Sequence, residues 1–127
     1  MSLIKAFFFD LDGTLVDTYE ADYLAYRDAI QEVTGKSISR EAFTETHGQE
    51  LRSKLAALAP EIDNAAIQKI SDSKKRHYPK YTHLTVLNDA LIQFLATCAK
   101  EHETVLVTTA KRQNALLVLK AHNILHY

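Results

Sequence analysis

Two aspartates one residue apart, Asp10 and Asp12, end an apolar run and precede a glycine in Asp10-Leu11-Asp12-Gly13-Thr14. Residues two apart in an extended segment point to the same side, so both carboxylates can face one substrate. One can then attack while the other manages a proton. A carboxylate and a nearby backbone carbonyl are also the hard oxygen ligands that Mg²⁺ prefers. A second polar cluster, Thr108-Thr109-Ala110-Lys111, follows the apolar Val105-Leu106-Val107. The Thr108 hydroxyl and the Thr109 amide can hold phosphate oxygens opposite the aspartates. Each residue has a plainer reading beside this one. Two acids before a glycine make turns and helix caps, and a strand-end hydroxyl bonds its own backbone. Asp17 reads as a helix-entry cap and Lys111 as a solvated residue at a helix start.

The elements that must position these clusters follow from periodicity. Ile4 to Phe9 is almost continuously apolar, which predicts a strand buried on both faces, as in a parallel sheet. Gly13 permits a sharp turn at its carboxyl end. From about Tyr19 to Tyr78 the apolar spacing is helical throughout. Tyr23, Tyr26, Ile30 and Val33 share one stripe, with Gly35 placed to stop the helix. Ser39 caps a short second helix through Phe43; Leu51, Leu55 and Leu58 mark a third, ended by Pro60; Asp63 caps a fourth, with Ile67, Ile70 and Tyr78 buried. Beyond Pro79, Asn88 or Asp89 starts a helix carrying Leu91, Ile92, Leu95 and Cys98. A strand through Thr108 and a helix around Leu116 and Leu119 complete the pattern, with Asn123 as C-cap. Strand, helical insert, helix, strand, helix is the beginning of a parallel α/β domain. The expected organisation is an α/β fold: an incomplete Rossmann-like parallel-sheet core from residues 1–17 and 80–127, with an inserted α-helical bundle cap over 18–79.

Composition narrows the class of partner. A formal net charge of -1 provides no basic field for nucleic acid or anionic lipid. The densest basic run, Lys74-Lys75-Arg76, reads as a solvated helix face. Cys98, the one cysteine, can form no internal disulfide and sits in an apolar helical pattern, which suits a reducing cytosol. The stretch Leu3 to Phe9, interrupted by Lys5, is no signal peptide, and no stretch is long enough to span a membrane. A cytoplasmic location is expected. His77, His83, His102, His122 and His126 show no metal-ligand spacing.

The nine residues Asp10-Leu11-Asp12-Gly13-Thr14-Leu15-Val16-Asp17-Thr18 resemble the first motif of the haloacid dehalogenase-like hydrolase superfamily. Val105 to Thr109 resembles its second motif. The helical block between them is similar to the cap inserted in the phosphoglycolate phosphatase and phosphoglucomutase branch. The resemblance implies a Mg²⁺-dependent phosphohydrolase of small phosphorylated metabolites. Asp10 would be the nucleophile that forms an aspartyl-phosphate. Asp12 would protonate the leaving oxygen and later activate water. The Asp10 carboxylate and the Asp12 carbonyl would bind the metal, and Thr108 would grip the phosphoryl group. Gly48 matches the cap glycine near the substrate, making Thr46, His47, Gln49 and Arg52 candidates for selectivity; Lys111 lies where some relatives contact substrate.

The same resemblance calls for a lysine and one or two further acids downstream of the second motif, and the sequence reaches Tyr127 without them. The 127 residues alone are therefore expected to be inactive or impaired, a C-terminally truncated form. Two core strands with open, apolar edges are marginal, so homo-oligomerisation through those edges is expected. Asp22 stands where phosphoglucomutase relatives carry a histidine, and Arg52 lies one residue past the position of their arginine; both favour hydrolysis over phosphotransfer. Asp12 argues against carbon–halogen chemistry. The alternatives are a non-enzymatic remnant of the fold and a β-phosphoglucomutase-like phosphotransferase.

Overall fold

The computed structural model describes residues 6–127, so Ile4 and Lys5 of the expected first strand lie outside the described residues. The chain divides into two units: Ala21–Tyr81, and the flanking segments that end at Glu20 and resume at Thr82.

In the flanking unit, strand β1 (Ala6–Phe9) pairs in parallel with β4 (Glu103–Leu106), Phe8 opposite Val105 and Phe9 opposite Leu106. The pairing extends by one bond, Val107 N to Phe9 O at 2.8 Å. The second strand thus starts two residues before the apolar run at Val105, because Glu103 and Thr104 alternate with exposed and half-buried positions rather than interrupting the ladder. A second antiparallel ladder joins β2 (Val16–Asp17) to β3 (Val86–Leu87). Helices α5 (Asp89–Cys98) and α6 (Arg112–Ala121) complete the unit.

The expectation that β1 is buried on both faces is not met. Phe7 and Phe9 point to the face where the Phe94 ring of α5 lies 5.8 and 6.3 Å from theirs. The opposite face carries Phe8, 70% exposed, with Val105 and Val107 beside it. Among the described residues no element covers that side.

Four helices build the second unit: α1 (Tyr19–Thr34, which begins in the flanking unit), α2 (Arg40–Glu45), α3 (Leu51–Leu58) and α4 (Asn64–His77), followed by a 3₁₀ turn at Tyr78–Lys80. Their ends obey local chemistry. Gly35, at φ 73°, ends α1 in a left-handed conformation that costs a glycine nothing. The side chains of Ser39, Glu50 and Asp63 accept from the amides of Ala42, Ser53 and Ala66, satisfying donors that the first turns leave free. The core centres on the fully buried Phe43, whose ring meets Tyr23 at 5.5 Å and Tyr26 at 5.9 Å, with Ile30, Leu55 and Ile70 also buried.

Polar groups then tie α1 to α4. Glu32 accepts from Ser73, from Arg76 Nη2 at 3.0 Å, and bonds His77 Nε2 at 3.0 Å. Those three hydrogen bonds hold its carboxyl at about 2, below the ordinary 4.5. Burial pushes Asp28 upward, but hydrogen bonds from Tyr81 and Arg27 outweigh it and leave the group lowered. Lys74 bonds Asp22 at 2.7 Å. The run Lys74-Lys75-Arg76 is therefore not simply a solvated face. Its first and third residues find carboxylates on α1 that sequence spacing does not reveal. At the far end of the chain α6 closes on His122, and Asn123, expected as the C-cap, is the next residue at φ 55°.

Candidate active site

β1 delivers Asp10 to its carboxyl end, and the chain turns at once. Leu11 is fully buried while Asp10 and Asp12 on either side of it are exposed. This alternation sends both carboxylates away from the core, as an extended strand end requires. Gly13, at φ 74°, makes the turn. Bonds from Gly13 N to Val16 O (2.9 Å), Thr14 N to Leu11 O (3.2 Å) and Val16 N to Leu11 O (3.1 Å) then close it.

Hydroxyls and amides inside the same motif orient the acids. Asp10 Oδ1 accepts from Leu11 N at 2.9 Å and Oδ2 from Thr14 Oγ1 at 3.2 Å. Asp12 Oδ1 accepts from Thr18 Oγ1 at 2.8 Å, and Thr18 is buried. These bonds hold the two carboxylates in their rotamers. Thr14 and Thr18 were given no role by sequence reasoning. Their only signal is a hydroxyl four residues after Asp10 and another six after Asp12, which matters once the turn is known. Asp17 accepts from Tyr19 N at 3.0 Å, the helix-entry cap expected of it.

β4 runs parallel to β1, so Thr108 emerges from the neighbouring strand at the same end of the sheet as Asp10. Thr108 Oγ1 accepts from Ala110 N at 3.0 Å. That bond uses the hydroxyl as an acceptor and keeps its hydrogen for donation. Thr109 is exposed, and Lys111 occupies the position before the first turn of α6 without capping it by its side chain. Asn88 supports the turn from behind. Its amide N donates to Leu15 O at 2.9 Å and its Nδ2 to Thr14 O at 3.3 Å, while Oδ1 caps α5 through Leu91 N at 3.2 Å. Sequence reasoning offered Asn88 or Asp89 as that cap; the bond goes to Asn88.

The remaining candidates lie in the helical unit. Gly48, at φ 83°, sits in the turn between α2 and α3. Arg52 Nη1 donates to Asn64 Oδ1 at 3.0 Å. Thr46 is buried and donates to Phe43 O at 2.8 Å, Gln49 N donates to Thr46 O at 3.1 Å, and the His47 ring lies 6.3 Å from that of Phe43. Thr46 and Gln49 bond within the turn itself, and Arg52 reaches the start of α4.

The donor set at the strand tip is two carboxylates among hydroxyls. Among the described residues no group of three or more His, Cys, Asp or Glu side chains converges. Mg²⁺ is commonly held by one or two carboxylates, with water and substrate phosphate completing the shell, so the residues present fit that ion in its ordinary mode.

A parallel strand pair with polar carboxyl ends, interrupted by a helical bundle, defines a Rossmann-like α/β protein with an inserted helical cap. A family model described as haloacid dehalogenase-like hydrolase matches residues 7–127, and the chain belongs to that family. Solved structures agree. A haloacid dehalogenase-like family hydrolase from Streptococcus pneumoniae superposes with a TM-score of 0.78 at 25% identity, over 97% of this chain and 58% of that one. A protein from Haemophilus somnus described as a predicted phosphoglycolate phosphatase gives 0.79 at 19% identity, over 99% and 60%. A hydrolase from Pseudomonas syringae gives 0.76 at 23%, over 94% and 56%. The last two show the fold alone. The chain spans little over half the length of these relatives. Among curated proteins no sequence matches it.

Proposed function

We propose that the chain carries the nucleophile half of a Mg²⁺-dependent phosphatase acting on small phosphorylated metabolites. Asp10 is its nucleophile and Asp12 its general acid and base. The observation that supports this best is the pair of exposed carboxylates flanking buried Leu11, each oriented by a hydroxyl of the same motif. Asp10 attacks phosphorus in line, which demands positioning and charge stabilisation above all. Asp12 gives a proton to the leaving oxygen and afterwards takes one from water. The Asp10 carboxylate and Asp12 carbonyl would hold Mg²⁺, which supplies charge neutralisation. Thr108 and the Thr109 amide hold phosphoryl oxygens, with Lys111 as a further contact. Gly48 and Arg52 contribute to selectivity from the helical insert, residues 18–79. The phosphoglycolate phosphatase description of the Haemophilus relative supports a small phosphomonoester as substrate.

The exposed row Phe8, Val105 and Val107 supports self-association through the sheet when the chain is alone, and light scattering at micromolar concentration reads it directly. Cytoplasmic residence is part of the same reading. A second reading is a non-catalytic protein built on the fold.

Phosphate release from p-nitrophenyl phosphate, with Mg²⁺ and with the longest native form of the chain, tests the proposal. Asp10→Asn should fall to background, and Asp12→Asn should lose roughly 10²–10⁴-fold. Equal rates for wild type and Asp10→Asn remove Asp10 as the nucleophile. Calorimetric titration of the 127-residue chain with Mg²⁺ and a phosphate analogue separates the second reading, since the absence of binding at millimolar levels supports it.

A further inference from the structure

Where α4 ends, charged groups from three segments meet around one histidine. His77 is half-buried, with α1 on one side and the 3₁₀ turn Tyr78–Lys80 on the other. Its Nε2 stands 3.0 Å from Glu32 Oε2, and Lys80 Nζ stands 3.1 Å from its Nδ1. Asp28 Oδ2 lies further from the same Nδ1, at 4.0 Å, and accepts from the Tyr81 hydroxyl. The other oxygen of Asp28 takes Arg27 Nη2 at 2.9 Å. Arg76, the neighbour of His77 on α4, donates to Glu32 Oε1 at 3.0 Å.

These contacts specify where the hydrogen of the ring sits. An ammonium has three hydrogens to give and no lone pair to accept with. The Nδ1 that faces Lys80 is therefore the bare nitrogen, and the ring hydrogen is on Nε2, donated to Glu32. Donation runs one way, from a cation through a neutral ring to an anion. A proton added at Nδ1 breaks the chain, because it turns the acceptor into a donor and sets a second cation against the ammonium. The oxygen nearest the new N–H is Asp28 Oδ2. Both carboxylates stay ionised while this happens. Hydrogen bonds from Ser73, His77 and Arg76 hold Glu32 at about 2, and Asp28 is lowered as well. Histidine, by contrast, is the side chain that changes charge nearest neutrality.

We propose that His77 is a proton-operated latch on the last turn of the helical unit: neutral, it holds Lys80; protonated, it releases Lys80 and turns its new N–H to Asp28. Nothing but a proton from solvent is taken up, and its loss resets the latch. Glu32 accepts from Nε2 in both states, so the ring stays in place and only the partner of Nδ1 changes. The segment set free, Tyr78–Lys80, directly precedes Tyr81, where the unit ends. Tyr81 keeps its bond, since a carboxylate oxygen has room for two donors, and the loosening is confined to the exposed Lys80 and its turn. The device uses none of the residues at the strand tip, so it stands or falls independently of Asp10.

The test is nuclear magnetic resonance of the full 127-residue chain, labelled with ¹⁵N and ¹³C. With the ring neutral, long-range ¹H–¹⁵N correlation should show His77 as the Nε2–H tautomer. On acidification the Cε and Nζ signals of Lys80 should shift in step with protonation of the His77 ring. In His77→Gln that step at Lys80 should vanish. In Lys80→Met, which keeps the apolar stem, the ring should take up its proton at higher pH than in wild type, because the cation opposing it is gone. The latter variant alters only an exposed side chain, and native circular dichroism confirms its fold. A neutral ring carrying its hydrogen on Nδ1 overturns the proposal. So do Lys80 signals that stay still while His77 gains its proton, and a Lys80→Met ring that titrates where the wild type does.

Discussion

The two units of this chain treat their side chains in opposite ways. The helical unit Ala21–Tyr81 stacks its aromatic rings on Phe43 and answers its charges with partners, Glu32 taking three and Asp22 holding Lys74. The flanking unit leaves a row of large apolar residues in water, Val107 at 56% exposure among them, on a sheet of two strands. A two-stranded sheet is marginal by itself. What is well determined there is the tip, where backbone bonds and threonine hydroxyls fix the turn. Burial organises one unit, and hydrogen bonding organises the strand tip of the other.

Core truncation is the strongest way to break that contrast. Phe43→Ala should destabilise the chain by about 3–5 kcal/mol, the cost of an unfilled cavity in a packed core. Phe8→Ala, although it removes the same ring, should change stability within about 0.5 kcal/mol, as substitutions away from packed sites do. Urea unfolding followed by far-ultraviolet dichroism measures both. Equal losses would mean that the face of β1 carrying Phe8 is packed in solution, and the contrast would be gone.

Acid offers a second and gentler probe. Glu32 titrates at about 2 when folded against 4.5 ordinarily. A folded value below the unfolded one makes its contribution complete above about 4.5 and progressively lost as pH falls toward 2. Asp28, also lowered, acts in the same direction. Loosening between α1 and α4 is therefore expected as pH drops through that window. Glu32→Gln should already be weakened at neutral pH and should respond less to acid. An identical acid response in wild type and variant would show that the Glu32 network does not couple the two helices. The group is exposed, so the effect is smaller than that of Phe43→Ala and is reduced by salt.

The same division explains what could be read from residue order. Helices α1 to α4 announced themselves through periodicity and through the caps Ser39, Asp63 and Gly35, because those signals are local. The placement of Asp10, Asp12 and Thr108 at strand ends was legible for a similar reason, since strand ends and turn residues occur in short runs. What stayed hidden depends on long-range pairing. The ladder between Val16–Asp17 and Val86–Leu87 joins two-residue strands too short to show alternation. The partners of Lys74 and Arg76 lie more than forty positions away, at Asp22 and Glu32. The exposure of Phe8 was misread because an unbroken apolar run records that a strand can be covered on both sides, and not that it is.

Asn88 gives the finest test, because it belongs to the tip by two bonds rather than by burial. Its side chain caps α5 through Leu91 N and reaches Thr14 O at 3.3 Å, while its own amide holds Leu15 O at 2.9 Å. Asp63 is the matched control, a helix cap in the other unit that accepts from Ala66 N. Asn88→Ala and Asp63→Ala should each cost about 1 kcal/mol as lost N-caps. Their local consequences should differ. In Asn88→Ala the amides of Gly13 and Val16, which close the turn, should exchange hydrogen faster than in wild type, because the loop carrying Thr14 O has lost a tether. In Asp63→Ala they should not change. If the two variants lose equal stability and the Gly13 and Val16 amides stay equally protected, Asn88 is only a helix cap. The geometry of the carboxylates would then rest on the hydroxyls of Thr14 and Thr18 and on the turn's own backbone bonds.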